Sequence, residues 1–127
     1  MSKLGTIVLD GNYRNPFVII TEGKPYPRAL ELVVTDDERR SLKLKDDEIT
    51  KIKYKGKKLE GRSVDLRRVH SISNLNLREI GVLSEDAFCK VLRFFNNYQV
   101  CQGADSYGFK EVRSEVQTYI LQKTSKM

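Results

Sequence analysis

Two consecutive ten-residue segments of the chain repeat one pattern of charged and apolar residues. They are DDERRSLKLK at 36–45 and DDEITKIKYK at 46–55. In each segment an acidic triplet precedes a stretch in which lysines alternate with apolar residues. Alternation with a period of two is typical of a strand with one buried face, and two copies are too few for a solenoid. We therefore predict two successive turn-plus-strand units of an antiparallel meander.

Alternation also assigns the two faces of these strands. One face carries apolar side chains that we expect to point toward the core: Leu42, Leu44, Ile52 and Tyr54. The opposite face carries the lysines at 43, 45, 51, 53 and 55. Like charges directly across a sheet repel by roughly 0.2–1 kcal/mol per pair. A face with this many lysines therefore needs a partner or a solvated position that offsets the repulsion.

The rest of the chain predicts an α+β fold in one domain of 127 residues. Apolar and β-branched runs predict further strands at 6–10, 16–20, 29–34 and 63–69, so residues 1–72 are mainly β. We expect about five to seven antiparallel strands, followed by a C-terminal amphipathic helix. Residues 83–123 are expected to be mainly helical.

The first helix begins at Ser84, a good N-cap residue, and carries apolar residues at helical spacing. These are Phe88, Val91, Leu92, Phe95 and Tyr98, and Asn96, Asn97 and Gly103 are expected to end the helix. Residues 107–123 fit either a second helix or a strand, and we favour the helix. Its apolar face would consist of Phe109, Val112, Val116, Tyr119 and Ile120.

The net charge of +6 is concentrated in one part of the chain. Residues 1–38 hold four Lys/Arg and six Asp/Glu, and residues 69–127 hold seven and six. Residues 39–68, the basic band, hold twelve Lys/Arg and five Asp/Glu and so carry a net charge of +7. A localised band of this kind is typical of a protein with a polyanionic partner.

We interpret the basic band as a nucleic-acid-binding surface, because phosphates are met by Lys and Arg without any requirement for a particular base. The candidate contacts are Lys43, Lys45, Lys51, Lys53, Lys55, Lys57, Lys58, Arg62, Arg67 and Arg68. A solvated face, protection of strand edges by lysine, an acidic protein and an anionic lipid surface are the alternatives. Exposed aromatic rings would favour single strands, and Tyr13, Phe17, Tyr26 and Tyr107 lie in or near predicted loops.

Three short blocks within residues 50–98 carry a resemblance to a known family. They are YKGKKL, SVDLRR and IGVLSEDAFCKVLRFF, which resemble the strand, strand and helix-entry blocks of the positive-cofactor-four transcriptional coactivators. Members of that family bind single-stranded DNA. Tyr54-Lys55-Gly56-Lys57, Val64-Asp65-Leu66-Arg67 and Gly81-Val82-Leu83 take the places of the family motifs, although the linker before the helix is longer and the last block is one residue short.

The resemblance implies a curved sheet and single-stranded DNA on basic strand and turn residues, and we expect a role in transcription or replication. The contacts that it carries over are Lys55, Lys57 and Arg67. It also implies a homodimer formed through the helix, by Phe88, Val91, Leu92 and Phe95. The N-terminal strands have no counterpart in the family pattern.

A function of a different class also fits this pattern of elements. Pleckstrin-homology-like domains combine a small antiparallel sheet with a C-terminal helix, and they bind peptides or inositol lipids through a basic strand-loop-strand, for which KYKGKKLEGR would be suitable. Salt-dependent binding to a single-stranded oligonucleotide, compared with inositol phosphates and duplex, separates the two functions.

We expect neither an enzyme nor a cofactor. His70 is the sole histidine, and no motif brings it together with Cys89 or Cys101 for nucleophilic catalysis. These three residues cannot form a four-ligand zinc site, and the acidic triplets lack the pattern of a calcium-binding loop. MSKLGTIVLD lacks the apolar region of a secretory signal, and the chain has no apolar run long enough to span a membrane. We therefore expect a nuclear or cytoplasmic protein with reduced thiols.

Overall fold

The computed structural model describes residues 4–10, 15–22, 26–50, 62–72, 77–102 and 109–125. Within these residues it contains antiparallel strands, one short 3-10 helix and two α-helices, so the predicted α+β class is confirmed. The strands are β1 (Thr6–Asp10), β2 (Phe17–Thr21), β3 (Arg28–Val33), β4 (Ser41–Lys43), β5 (Ile49–Thr50), β6 (Ser63–Asp65), β7 (His70–Ser71) and β8 (Leu77–Leu83). The 3-10 helix is Asp46–Glu48, and the α-helices are α1 (Glu85–Cys101) and α2 (Phe109–Ser125).

The described strands form one sheet in the order β4-β6-β3-β2-β1-β8-β5, and β7 pairs with β3 beside this path. β1, β2 and β3 form a meander of sequence neighbours, as predicted. β8 was not predicted as a strand, yet it pairs with β1 along its length and places Gly81 opposite Ile7.

The two repeated segments do not pair with each other within the described residues. β4, from the first segment, pairs with β6, whereas β5, from the second, pairs with β8. The prediction that they form successive strands of a meander is therefore wrong for these residues, and residues 51–55 lie outside the described ranges. A period of two determines which side chains share a face, but it does not determine which strand becomes the neighbour.

A short connection requires the sheet to curl. β4 and β5 stand at opposite ends of the strand order, but only residues 44–48 separate them in sequence. Seven strands laid flat would place the outer two about 29 Å apart at about 4.8 Å per strand. The six backbone steps from Lys43 to Ile49 can span at most about 21 Å. The sheet is therefore rolled, and its concave face encloses the main core.

Glu48 fixes the connection to helix α1. Its Oε1 accepts a hydrogen bond from the backbone N–H of Lys45 at 2.9 Å, and its Oε2 lies 2.6 Å from Nζ of Lys90 in α1. Its backbone carbonyl accepts a hydrogen bond from the N–H of Ser84 at 2.9 Å. Ser84 is the N-cap of α1, and its Oγ accepts from the N–H of Ala87 at 3.2 Å. Glu48 thus joins the end of the sheet to the start of α1.

Both helices pack on the concave face through the predicted apolar stripes. The first stripe is buried in the core at Phe88, Val91, Leu92 and Phe95, and Tyr98 packs against it. The second is buried at Phe109, Val112 and Val116, with Tyr119 and Ile120 packed against the core. The predicted second helix is confirmed for residues 109–123, whereas Asn96 and Asn97 do not end α1 but lie within it. Residues 107 and 108, and Gly103, lie outside the described residues.

The predicted dimer surface is not exposed. Phe88, Val91, Leu92 and Phe95 are each at most 3% exposed within their own chain. A second copy could contact these side chains only after the helix had left the core. Exposing their apolar area to water would cost several kcal/mol of free energy. These four residues therefore stabilise the fold of one chain, and we do not propose a homodimer through them.

The central strands are buried on both faces. Ile7, Val18 and Leu30 belong to the main core, whereas Val8, Phe17, Ile19, Ala29 and Ile72 form a second cluster on the opposite face.

Neither described helix combines the length and the apolar character needed to cross a membrane.

Replacing Glu48 by Gln is expected to lower the free energy of unfolding by about 1–3 kcal/mol at pH 7, because it removes hydrogen bonds to a charged group. Burial by itself raises the pKa of Glu48, but its contacts with Lys90 and Lys45 outweigh burial and lower the pKa below 4.5. The ionised carboxylate therefore stabilises the fold above pH 4.5, and this contribution is lost as the pH falls through the lowered value.

Denaturant unfolding at pH 7 and pH 3 checks the Glu48→Gln prediction. The difference between wild type and variant should narrow at pH 3, and Glu115→Gln, at an exposed position on α2, should match the wild type at both values. A Glu48→Gln protein as stable as the wild type at pH 7 would show that Glu48 does not hold the connection.

Candidate nucleic-acid interface

The face of β4 and β6 that points away from the core carries polar and charged residues. The register pairs Ser41 with Asp65 and Lys43 with Ser63 on this outward face, and it pairs Leu42 with Val64 on the core side. Lys43 and Lys45 are exposed, Leu44 is buried, and Leu42 packs against the core. The predicted assignment of faces is confirmed for these four residues.

A loop of seven residues crosses over β6 on this outward face. β6 lies between β3 and β4 in the sheet, so residues 34–40, the crossing loop, must pass over it to connect its two neighbours. The loop is fixed at its start, where the N–H of Asp37 donates to Oγ1 of Thr35 at 3.1 Å. It is fixed again at its end, where the carbonyl of Arg40 accepts from the N–H of Leu66 at 3.0 Å.

Arg67 is held in one orientation by Asp65. Nε of Arg67 donates to Oδ1 of Asp65 at 3.0 Å and Nη2 donates to Oδ2 at 3.1 Å, which is the bidentate geometry of a strong charge-assisted pair. The backbone N–H of Arg67 also donates to Oδ1 of Asp65, at 3.0 Å. The Asp65 side chain is 7% exposed and that of Arg67 is 50% exposed. The pair therefore anchors one edge of the guanidinium and leaves the rest of it accessible.

The backbone under Arg67 is fixed from the other side of the sheet. The buried side chain of Gln99 in α1 donates through Nε2 to the carbonyls of Leu66 and Arg67, at 2.7 and 3.3 Å. Hydrogen bonding to Asp65, and then the charge of that carboxylate, raise the pKa of Arg67 above its usual value. The guanidinium is therefore charged at every physiological pH, and its position is set before any ligand arrives.

The remaining predicted contacts differ in what they do. Arg62 is half-buried, and its Nη1 donates to Oδ1 of Asn15 at 3.1 Å and to the carbonyl of Leu32 at 3.4 Å, so its described contacts lie within the protein. Arg68 is exposed. Five further candidates lie outside the described residues: Lys51, Lys53, Lys55, Lys57 and Lys58.

The crossing loop and the outward face enclose a pocket of about 260 Å³. Val33, Ser41, Asp65 and Arg67 line it from the sheet, and Val34, Thr35, Asp37 and Arg40 line it from the loop. The carboxylate of Asp37 lies 3.8 Å from Nε of Arg40, which is a loose ion pair. Sequence reasoning missed this pocket. Arg40 lay within the basic band, but no local pattern shows that a loop would fold over a strand that comes later in the chain.

One of the aromatic candidates is exposed within the described residues. Tyr26 is 44% exposed and is available for stacking, whereas Phe17 is fully buried in the second cluster. Phe17 is therefore excluded as a base platform. Tyr13, Tyr54 and Tyr107 lie outside the described residues.

The residues considered for catalysis or metal binding are placed in structural surroundings. His70 packs its ring edge-on against Phe17, with 5.2 Å between the ring centroids. Cys89 is half-buried, Cys101 is exposed, and both are free thiols. Across the described ranges, with their gaps, no group of three His, Cys, Asp or Glu side chains is placed to hold a metal ion.

No protein-family model matches this chain, and comparison with curated proteins and with solved structures gives no significant match.

Replacing Asp65 by Asn is expected to lower the free energy of unfolding by about 1–3 kcal/mol, because Arg67 loses a buried, charged acceptor. Asp47→Asn serves as the control, since Asp47 is exposed and surface changes of this kind usually stay within about 0.5 kcal/mol. Urea unfolding of the two variants measures the difference. Equal stability of the two variants would mean that the Asp65–Arg67 pair does not fix this part of the sheet.

Proposed function

We propose that the protein binds single-stranded nucleic acid, DNA or RNA, mainly through phosphate contacts on the outward face of β4 and β6. The observation that carries this proposal is the pairing register, which puts exposed Lys43 on the same face as Asp65, the residue that anchors Arg67. Phosphate contacts need accessible cations at fixed positions and no particular base. Lys45 and Arg68, both exposed, add two cations to this part of the chain.

The sequence around these residues extends the same charge. Residues 51–58 contain five lysines and no acidic residue, and they belong to the basic band together with β4 and β6. Two of the five acidic residues of the band are engaged elsewhere: Asp65 holds Arg67, and Glu48 holds Lys90. The sequence of the band therefore leaves three carboxylates, Asp46, Asp47 and Glu60, against its other eleven Lys and Arg residues.

Two features favour a single strand over a duplex. The pocket under the crossing loop lies next to the cations and can receive a planar group only if that group is unpaired. Tyr26 offers an exposed ring, and bases stack on such rings at roughly 1–3 kcal/mol each. The resemblance to single-stranded DNA-binding coactivators agrees with this choice and extends the proposal to transcription or replication.

An inositol phosphate is the competing ligand. It would need several cations that converge on one headgroup, whereas the described contacts of Arg62 are with Asn15 and Leu32. Lys43 pairs with Ser63, four residues along the chain from Arg67, so these two cations are spread along the face, as a chain of phosphates requires. The described geometry therefore favours a linear polyanion over a compact one.

Reversal of one charge on this face is expected to weaken binding strongly. Lys43→Glu should bind a 12-nucleotide oligothymidylate about 5- to 30-fold more weakly than the wild type, because reversal beside a phosphate changes the interaction by about 1–2 kcal/mol. Lys43→Ala should flatten the log-log salt dependence by about 0.7, the value for one phosphate contact on a single strand. Filter binding at two or more salt concentrations measures both quantities.

Lys110→Glu is the matched control, because Lys110 is an exposed lysine on α2, which packs on the other face of the sheet. It carries the same change in charge and should bind nearly as the wild type does. Equal weakening by both variants would show a nonspecific effect of net charge. Tighter binding of inositol hexakisphosphate than of any single strand would favour the competing function.

A further inference from the structure

The pocket under the crossing loop is electrically balanced, unlike the surface around it. Two arginines and two aspartates line it, Arg40 and Arg67 with Asp37 and Asp65. A site for a phosphate would carry a net positive charge, and a carboxylate such as Asp37 beside it would repel the ligand. A pocket with equal numbers of positive and negative side chains is suited to an uncharged group that presents both hydrogen-bond donors and acceptors.

Some hydrogen-bond donors and acceptors that line the pocket are not used within the described part of the protein. Asp65 is taken up by Arg67, while the Nη1 group of Arg67 has no bonded acceptor among the residues that the structure describes. Within the described part of the chain, Oδ1 of Asp37 accepts one bond, from the N–H of Arg39 at 3.1 Å, and its Oδ2 has only the loose contact with Arg40. A carboxylate has about four acceptor sites. The pocket therefore offers cationic donors from the sheet and free carboxylate acceptors from the loop.

The size of the pocket limits what can enter. A volume of about 260 Å³ lies just below the range of roughly 300–1,000 Å³ that is typical of sites for drug-sized ligands. One nucleobase fits within that volume. Val33 and Val34 supply apolar surface for the faces of a ring.

Guanine is the base whose edges match this pattern. It presents the acceptors O6 and N7 side by side, which arginine binds in its commonest base-specific contact. It also presents the donors N1–H and N2–H₂ side by side, which a carboxylate can accept. Proteins that recognise single strands read both of these edges on bases that are splayed out. Adenine lacks the O6 acceptor and the paired donors, and thymine lacks N7.

We propose that this pocket receives a guanine base of the bound strand, with Arg67 donating to O6 and N7 and Asp37 accepting from N1–H and N2–H₂. The inference rests on the proposed function, since it names the base that the same surface selects. Phosphate contacts by Lys43 and its neighbours hold the strand, and the pocket adds a preference for one base. Binding is therefore nonspecific along most of the strand and selective at a single position.

Fluorescence anisotropy with five 11-nucleotide strands tests the proposal on the intact wild-type chain. The strands are oligothymidylate alone, or with one central guanine, inosine, 7-deazaguanine or adenine. The guanine strand should bind about 5- to 150-fold more tightly than oligothymidylate, the range expected for one good bidentate pair. Inosine, which lacks the 2-amino group, and 7-deazaguanine, which lacks N7, should each lose most of that gain.

Two variants locate the preference in the pocket. Asp37→Asn should reduce the ratio of guanine to thymine binding toward one without weakening binding to oligothymidylate. Asp36→Asn is the matched control, since Asp36 is exposed and does not line the pocket, and it should keep the preference. A thermal melt verifies that both variants are folded, and the base analogues test the proposal without any change in the protein.

The outcomes separate this inference from the proposed function. Salt-dependent binding of oligothymidylate with no gain from guanine would overturn the pocket assignment and leave the proposed function standing. A guanine preference that survives in Asp37→Asn would also overturn it, because the base would then be read elsewhere. Failure of every strand to bind would overturn both.

Discussion

The five-residue connection between β4 and β5 determines the shape of the sheet. It joins the two strands that stand at opposite ends of the sheet order, so the sheet has to roll and enclose a concave face. Glu48 stabilises this closure by bonding Lys45 and Lys90 and by accepting from the N–H of Ser84. Helix α1 therefore starts where the roll closes, and its apolar stripe fills the space inside.

The rolled sheet separates the packed core from the surface that we propose for binding. Both described helices lie on the concave face, so the outward face of β4 and β6 is left to polar and charged side chains. Because β6 enters between β3 and β4, the crossing loop covers that face and encloses a pocket. Gln99 connects the two sides, since a buried side chain of α1 holds the backbone of Arg67. Core packing thus sets the position of a cation on the opposite surface.

Local periodicity predicted the elements well where one signal dominated. The helical stripe from Phe88 to Tyr98 and the N-cap Ser84 both lie where the sequence placed them, because spacing and capping act within a few residues. The alternation of leucine and lysine at 42–45 gave the correct faces for the same reason. β8 was missed: Gly81 and two charged residues interrupt its apolar pattern, and its stability comes from pairing with β1 some seventy residues earlier.

Strand neighbours and the pocket could not be obtained in this way. The tenfold repeat suggested adjacent strands, but Ile49 pairs with Leu83, a partner that no local pattern identifies. Arg62 and Arg67 were equivalent candidates in the sequence. In the structure Arg62 contacts Asn15 and Leu32, whereas Arg67 pairs with Asp65. The pocket forms because the crossing loop passes over β6, so it follows from the strand order and not from any local sequence pattern.

We propose that the outward face of β4 and β6, and not the helical side, meets the polyanion. The most direct test of this proposal is an amide NMR titration of the isotopically labelled chain with a short single-stranded oligothymidylate at low salt. We expect the largest shift changes at residues 33–43 and 63–68, with little change on the exposed faces of α1 and α2. Changes concentrated on the helices, or none at saturating oligonucleotide, would contradict the account.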